Sequence, residues 1–253
     1  WVLLTSPMDM IHVGFEYHNG NGTLCLIGDY DEGENAFTEQ YNQSIDYGID
    51  FYAPQTVLTP DGRRIMIGWM QNWDTCNFRA QNILWFGQMS LPRELSIRGV
   101  RLYQKPIREL ENLRKDKVAY QDVLISETVC LEGIKGRRVD MELILRPGLE
   151  GDIYRKFAVR FAQNEQFQTS LSFHPEDSIL KIDRKFSGSR RAIIHQRRSL
   201  VRSEGGRLKL RIILDRFSAE VFVNDGEHVL TAIIYTEQAA DGISCFADGM
   251  VRM

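Results

Sequence analysis

Asp46-Tyr47-Gly48-Ile49-Asp50-Phe51-Tyr52-Ala53-Pro54-Gln55-Thr56 is the stretch on which the reading of this chain turns. Its second half is rich in aromatic and extended-chain residues, and Pro60-Asp61-Gly62 follows shortly after. Asp and Gly tolerate the positive φ that tight antiparallel connections require. Residues 51–58 and 63–70 are therefore expected to form a hairpin, with Gly68-Trp69 near its end. A strand sends successive side chains to opposite faces, so Asp50 and Tyr52 share one face and Phe51 takes the other. Working outward, strand-like runs also occupy residues 1–5, 23–29 and 89–97, and Asn19-Gly20-Asn21-Gly22 supplies a further turn. Short strands at close spacing argue for an all-β fold.

Beyond Pro106 the period changes. Ile107, Leu110 and Leu113 fall three apart among polar residues, and proline suits a helix start. Residues 106–115 are expected to be a short amphipathic helix and a joint between domains. Alternation returns in residues 138–146, 153–161, 169–174, 207–215 and 220–223, the pattern of a β-sandwich. By pattern alone the strands before residue 105 fit a sandwich, a barrel or propeller blades equally.

The 253 residues, 43% hydrophobic, can bury a substantial core. A net charge of −3 provides no general attraction to nucleic acid or anionic membrane, and no apolar run approaches the roughly 20 residues of a spanning helix. Cys25, Cys76, Cys130 and Cys245 are widely separated, which argues against zinc-ribbon or redox motifs and for buried free thiols. The five histidines are dispersed, without His-Glu-x-x-His, Gly-x-Ser-x-Gly or a phosphate loop. Zinc hydrolysis, serine acyl transfer and nucleotide binding lack support.

The 46–56 block, with Gly68-Trp69 and Leu91-Pro92-Arg93-Glu94-Leu95 behind it, resembles glycoside hydrolase family 32, the β-fructofuranosidases that include invertases, inulinases and sucrose-6-phosphate hydrolases. The stretch Leu214-Asp215-Arg216-Phe217-Ser218-Ala219-Glu220-Val221-Phe222-Val223-Asn224-Asp225-Gly226-Glu227 carries a second family-like signature. The resemblance implies the later blades of a five-bladed β-propeller over residues 1–105, a short helical linker over 106–118 and a β-sandwich over 119–253. It also implies retaining hydrolysis of the β-fructosidic bond of sucrose, sucrose 6-phosphate or a short fructan, without a cofactor or metal. Such chemistry needs two carboxyl groups about 5 to 5.5 Å apart. The family patterns Asn-Asp-Pro-Asn, Arg-Asp-Pro and Glu-Cys are missing from this sequence. A Trp-Val-Leu-Leu-like strand follows the acid/base glutamate in the family and matches Trp1 to Leu4. Both carboxylates are thus expected upstream of residue 1, and residues 1–253 alone are expected to be inactive.

The resemblance carries over the wall of a sugar pocket: Asp46, Asp50 and Tyr52 beside it, and Trp69 enclosing the fructosyl unit. A furanose offers hydroxyls to polar groups and C–H faces to aromatic surfaces. Asp46 reads alternatively as an Asx-turn residue before Gly48, and Phe51 and Tyr52 as ordinary packing. Trp73 and Trp85 lie in a polar stretch that suits a rim loop, either touching the rest of the substrate or anchored by its own aromatics. Arg93 and Glu94 either hold blades together or touch substrate. Asn224-Asp225-Gly226 reads as a hairpin turn and is rejected as catalytic. The basic run Arg184, Lys185, Arg190, Arg191, Arg197, Arg198 and Arg202 is expected to be a solvated sandwich face. A truncated propeller implies an open sheet edge and homo-oligomerisation through that edge or through the sandwich. The alternative on the same scaffold is a non-catalytic carbohydrate-binding or oligomerisation module.

Overall fold

The computed structural model describes residues 1–71, 87–149, 152–188 and 194–253. The first module holds two open antiparallel sheets. One is a meander of β1 (Val2–Thr5), β2 (Leu24–Asp31) and β3 (Ala36–Ser44). The other runs β4 (Tyr52–Leu58), β5 (Arg64–Trp69), β6 (Arg93–Arg98) and β7 (Arg101–Pro106) in sequence order. The expected hairpin is β4–β5, with Leu58 opposite Arg64 and Tyr52 opposite Trp69. Cys25, Ile45, Phe51, Met66 and Leu102 form the core between the two sheets.

The joint is a 3-10 helix of six residues, Arg108–Leu113, with no buried residue and no side-chain cap. This corrects the longer amphipathic helix expected over 106–115. Pro106 ends β7, and the three-residue spacing of Ile107, Leu110 and Leu113 is the period of a 3-10 turn. Its polar side chains tie it down: Arg108 donates to Glu94, and Arg63 bridges Glu94 and Glu109.

The second module is a sandwich of two six-stranded sheets. Its strands are β8 (Leu124–Ile125), β9 (Thr128–Val129), β10 (Val139–Pro147), β11 (Lys156–Gln163), β12 (Gln168–His174), β13 (Ile179–Phe186), β14 (Gln196–Leu200), β15 (Leu208–Asp215), β16 (Ser218–Val223), β17 (His228–Ile233), β18 (Gly242–Asp248) and β19 (Val251–Arg252). The sheet orders are β17-β16-β15-β10-β19-β8 and β14-β13-β12-β11-β18-β9. Phe157, Val159, Phe161, Leu171, Phe173 and Ile182 of one sheet meet Leu210, Ile212, Val221 and Leu230 of the other. The 224–226 segment is the expected turn, with φ of 48°, 59° and 94° at Asn224, Asp225 and Gly226.

Strands β16 and β17 are buried at every residue. One face of each fills the sandwich, through Ala219, Val221, Leu230 and Ala232. The other face is covered by the first module, where Phe222 and Val229 pack with Leu91 and Leu110. A strand buried on both faces shows no alternation, and in the sequence only the turn before β17 marks it.

Two sequence expectations are corrected here. Cys25 and Cys245 are buried thiols, but Cys130 is exposed; it follows the two-residue strand β9 at the sandwich margin. Cys76 lies outside the described residues. The basic run is also not uniformly solvated. Lys185, Arg198 and Arg202 are exposed, Arg197 is half-buried, and Arg184 is fully buried. Inward alternation along β13 takes Leu180, Ile182 and Arg184 into the interior. Arg190 and Arg191 lie outside the described residues, and the strand that follows starts at Gln196.

Candidate functional site

The 46–52 segment is where the two modules meet. Edge strand β17 would present unpaired backbone groups, a liability in any sheet. Residues 47–50 run alongside it instead: Tyr47 N–H donates to Val229 O at 2.8 Å, and Ile49 N–H to Thr231 O at 2.7 Å. Tyr47 and Ile49 insert into the sandwich core. Gly48 permits the approach, because a Cβ there would lie 2.0 Å from Thr231 N and 2.2 Å from its O. Gly226 does the same on the facing side, where Gln104 N–H donates to Gly226 O and a Cβ would lie 1.9 Å from Gln104 O.

Asp46 forms an Asx-type contact, accepting from Gly48 N–H at 2.8 Å, and also accepts from Thr231 N–H at 2.9 Å and from Thr231 Oγ1. Its second oxygen accepts from Arg93 at 3.0 Å. Arg93, wholly buried, donates in addition to Glu220 at 2.7 and 3.1 Å, to Gln104 at 3.0 Å and to Thr231 Oγ1 at 2.7 Å. Its guanidinium lies 4.3 Å from the centroid of the Phe51 ring, a cation–π distance. Two buried carboxylates thus face one guanidinium. Burial pushes the pKa of Asp46 and of Glu220 above the usual carboxylate range, while Arg93 pulls both down.

Asp50 makes the second anchor. Its Oδ2 accepts from Ile233 N–H at 2.8 Å and from the Arg184 guanidinium, both side chains being fully buried. Arg184 also donates to Ile194 O and Ile233 O, and stands 4.9 Å from the Tyr235 ring centroid. A third arginine, Arg137, donates to the carbonyls of Thr236, Glu237 and Arg216. Burial lowers its pKa to about 10.

The carboxylates of Asp46 and Asp50 therefore sit in the module interface. Tyr52 and Trp69 are placed differently. They face each other across β4 and β5 as register partners, Tyr52 buried and Trp69 half-buried. Tyr52 Oη donates to Ser6 O at 2.8 Å, tying β4 to the segment after β1. Gly87 approaches the indole, a Cβ there lying 3.5 Å from Trp69 Nε1. Phe51 points the opposite way onto Gly68 and Arg93, as alternation requires. Trp73 and Trp85 lie outside the described residues.

A cavity of about 30 Å³ opens beside Asp46 and is lined by His18, Thr23, Phe51 and Arg197. That volume suits ordered water and is far below the several hundred Å³ of a small-molecule site. Sequence reasoning missed Thr231, Gln104 and Arg137 altogether and did not connect Glu220 with Arg93. The signal available was only a polar residue inside an otherwise apolar strand, such as Glu220 in Ser218-Ala219-Glu220-Val221-Phe222-Val223.

Two open antiparallel sheets clasped to a sandwich through buried Arg–carboxylate anchors, with an aromatic pair on the first module, define a two-module all-β protein. The model of the Glycosyl hydrolases family 32 N-terminal domain matches residues 1–106, and that of the Glycosyl hydrolases family 32 C terminal matches residues 109–252. The chain belongs to glycosyl hydrolase family 32, and its two modules are propeller blades and a β-sandwich. It is 34% identical over 213 residues to a probable sucrose-6-phosphate hydrolase of Vibrio cholerae, covering 84% of this chain and 36% of that one. It is 30% identical to a raffinose invertase of Escherichia coli, covering 97% and 49%. Among solved structures, a β-fructofuranosidase of Bombyx mori superposes with a TM-score of 0.73 at 25% identity, covering 99% of this chain and 50% of that one. The chain spans half or less of the length of these relatives. Homologues of this chain include proteins named sucrose-6-phosphate hydrolase, raffinose invertase and levanase.

Proposed function

We propose that residues 1–253 form the C-terminal part of a retaining β-fructofuranosidase acting on sucrose, sucrose 6-phosphate or short fructans. In this reading residues 1–105 are the later blades, 106–118 the linker and 119–253 the sandwich. The nucleophile and acid/base carboxylates belong to sequence upstream of Trp1, so this stretch alone does not hydrolyse. Its contribution is one wall of the fructosyl pocket. The observation that carries this reading is the cross-strand pair Tyr52–Trp69 on the family-matched hairpin. An indole beside a phenol offers a flat apolar surface to the C–H face of a furanose. Asp46 and Asp50 serve the pocket from behind, holding the root of β4 against the sandwich rather than meeting the sugar. Trp73, on the segment after β5, contributes to the rim.

The test compares sucrose hydrolysis by residues 1–253 alone with hydrolysis by the complete protein that carries them, and adds Trp69→Ala in the latter. Removing binding shared by ground and transition states raises KM more than it lowers kcat. The expected results are no glucose release by the isolated stretch, release by the complete protein, and a KM raised about tenfold in W69A. Hydrolysis by residues 1–253 alone would place the carboxylates within it and overturn the upstream assignment. Sugar affinity without turnover in the complete protein would favour the non-catalytic binding module.

A further inference from the structure

We infer that Arg184, a sandwich residue, is a positioning residue for the sugar-facing hairpin, acting through Asp50. The inference rests on the pocket role proposed for Tyr52 and Trp69. Among the described residues, strand β4 is at the edge of its sheet and pairs there with β5 alone. The β4–β5 ladder breaks immediately after the Tyr52–Trp69 pair, resuming only at Gln55 opposite Ile67. Ala53, inside the break, has φ of 48°, a left-handed conformation costly for any residue with a Cβ. The ladder is thus irregular on the C-terminal side of Tyr52. Besides the Tyr52 Oη bond to Ser6 O, a second anchor lies on the N-terminal side, two residues away.

There Asp50 is gripped by the Arg184 guanidinium and by the Ile233 amide, and Arg184 is itself locked by the carbonyls of Ile194 and Ile233. Between anchor and tyrosine, the Phe51 ring is wedged against Gly68, where a Cβ would lie 2.5 Å from the ring. The chain is thus fixed at Asp50 and again at Phe51, and Tyr52 follows directly, opposite Trp69. The sandwich, which contributes no residue to the aromatic pair, would set its geometry from behind. A planar guanidinium with several fixed donors can serve Asp50 and two carbonyls at once, whereas an ammonium is a point charge.

The test is steady-state kinetics on sucrose with the complete protein, comparing Arg184→Met, Arg184→Lys, Asp50→Asn and Trp69→Ala. A displaced wall loses binding, so R184M and D50N are expected to raise KM about tenfold with kcat within about twofold, and R184K to fall between them and the parent. A purely structural role would lower the active fraction, reducing kcat at unchanged KM. Amide exchange gives an independent readout, and faster exchange over residues 51–57 with unchanged protection in β10 and β15 is expected. Should R184M fail to fold, D50N carries the same comparison. Unchanged KM in R184M and D50N, with KM raised in W69A, would overturn the positioning role and leave the pocket reading intact. Unchanged KM in W69A would remove the pocket reading, and the inference with it.

Discussion

Replacing Arg93 with methionine keeps a long apolar stem and removes the guanidinium that faces Asp46 and Glu220. The side chains of Arg93, Asp46 and Glu220 are 0%, 1% and 3% exposed. Water cannot take over the two carboxylates where they stand. Gln104 and the Thr231 hydroxyl lose a donor at the same time. Breaking a buried ion pair from one side costs about 3–5 kcal/mol, because the surviving charge is stranded. For a chain of this length each kcal/mol moves the midpoint by about 2–4 °C, so R93M is expected to melt about 6–20 °C below the parent. The assay is thermal unfolding followed by circular dichroism, with urea titration to read the free energy. Glu220→Gln in the R93M background removes one stranded charge, and the double variant should regain about 1–2 kcal/mol. If R93M cost less than about 1 kcal/mol, or E220Q worsened it additively, the buried cluster would not be the clasp between modules.

Two further expectations follow from the same interface. Gly48→Ala forces residues 47–50 away from β17, and the clash together with the weakened Tyr47 and Ile49 hydrogen bonds should cost about 3 kcal/mol in a urea titration; an unchanged midpoint would show that the segment does not dock on β17. His228 is buried against Tyr47, with ring centroids 4.7 Å apart, and burial, helped by Arg101, lowers its pKa to about 3. Between about pH 6.5 and 3 the unfolded chain binds a proton there that the folded chain refuses, so this contribution to stability is lost as pH falls through that window. By pH 5 the loss is about 2 kcal/mol for one such histidine. His228→Gln should therefore flatten the fall in stability from pH 7 to 5, and parallel pH profiles for variant and parent would refute it.

Much of the fold was legible in the residues. Turn chemistry at Pro60-Asp61-Gly62 and Asn224-Asp225-Gly226 marked two hairpins, because positive φ is tolerated by few side chains. The 107–113 spacing was visible too, although three-residue periodicity over six residues makes a 3-10 turn rather than an α-helix. Strands β16 and β17 broke the rule of alternation, since their second face is dry only in the presence of the other module.

The candidate site divides along the same line. Alternation alone placed Tyr52 and Phe51 on opposite faces, and the hairpin brought Tyr52 opposite Trp69, because both depend on neighbours a few residues away. Beyond the Asx contact of Asp46 with Gly48, what Asp46, Asp50, Arg93 and Arg184 do could not be read from any spacing. Their ionic partners lie 47 to 134 residues distant, and an aspartate before a strand looks the same in sequence whether it meets sugar, solvent or a buried arginine. Local sequence determined which segments are strands and where they turn, since backbone sterics and side-chain alternation are short-range. Only the docking of one module on the other decided which charges are buried, because desolvation depends on what arrives from the rest of the chain.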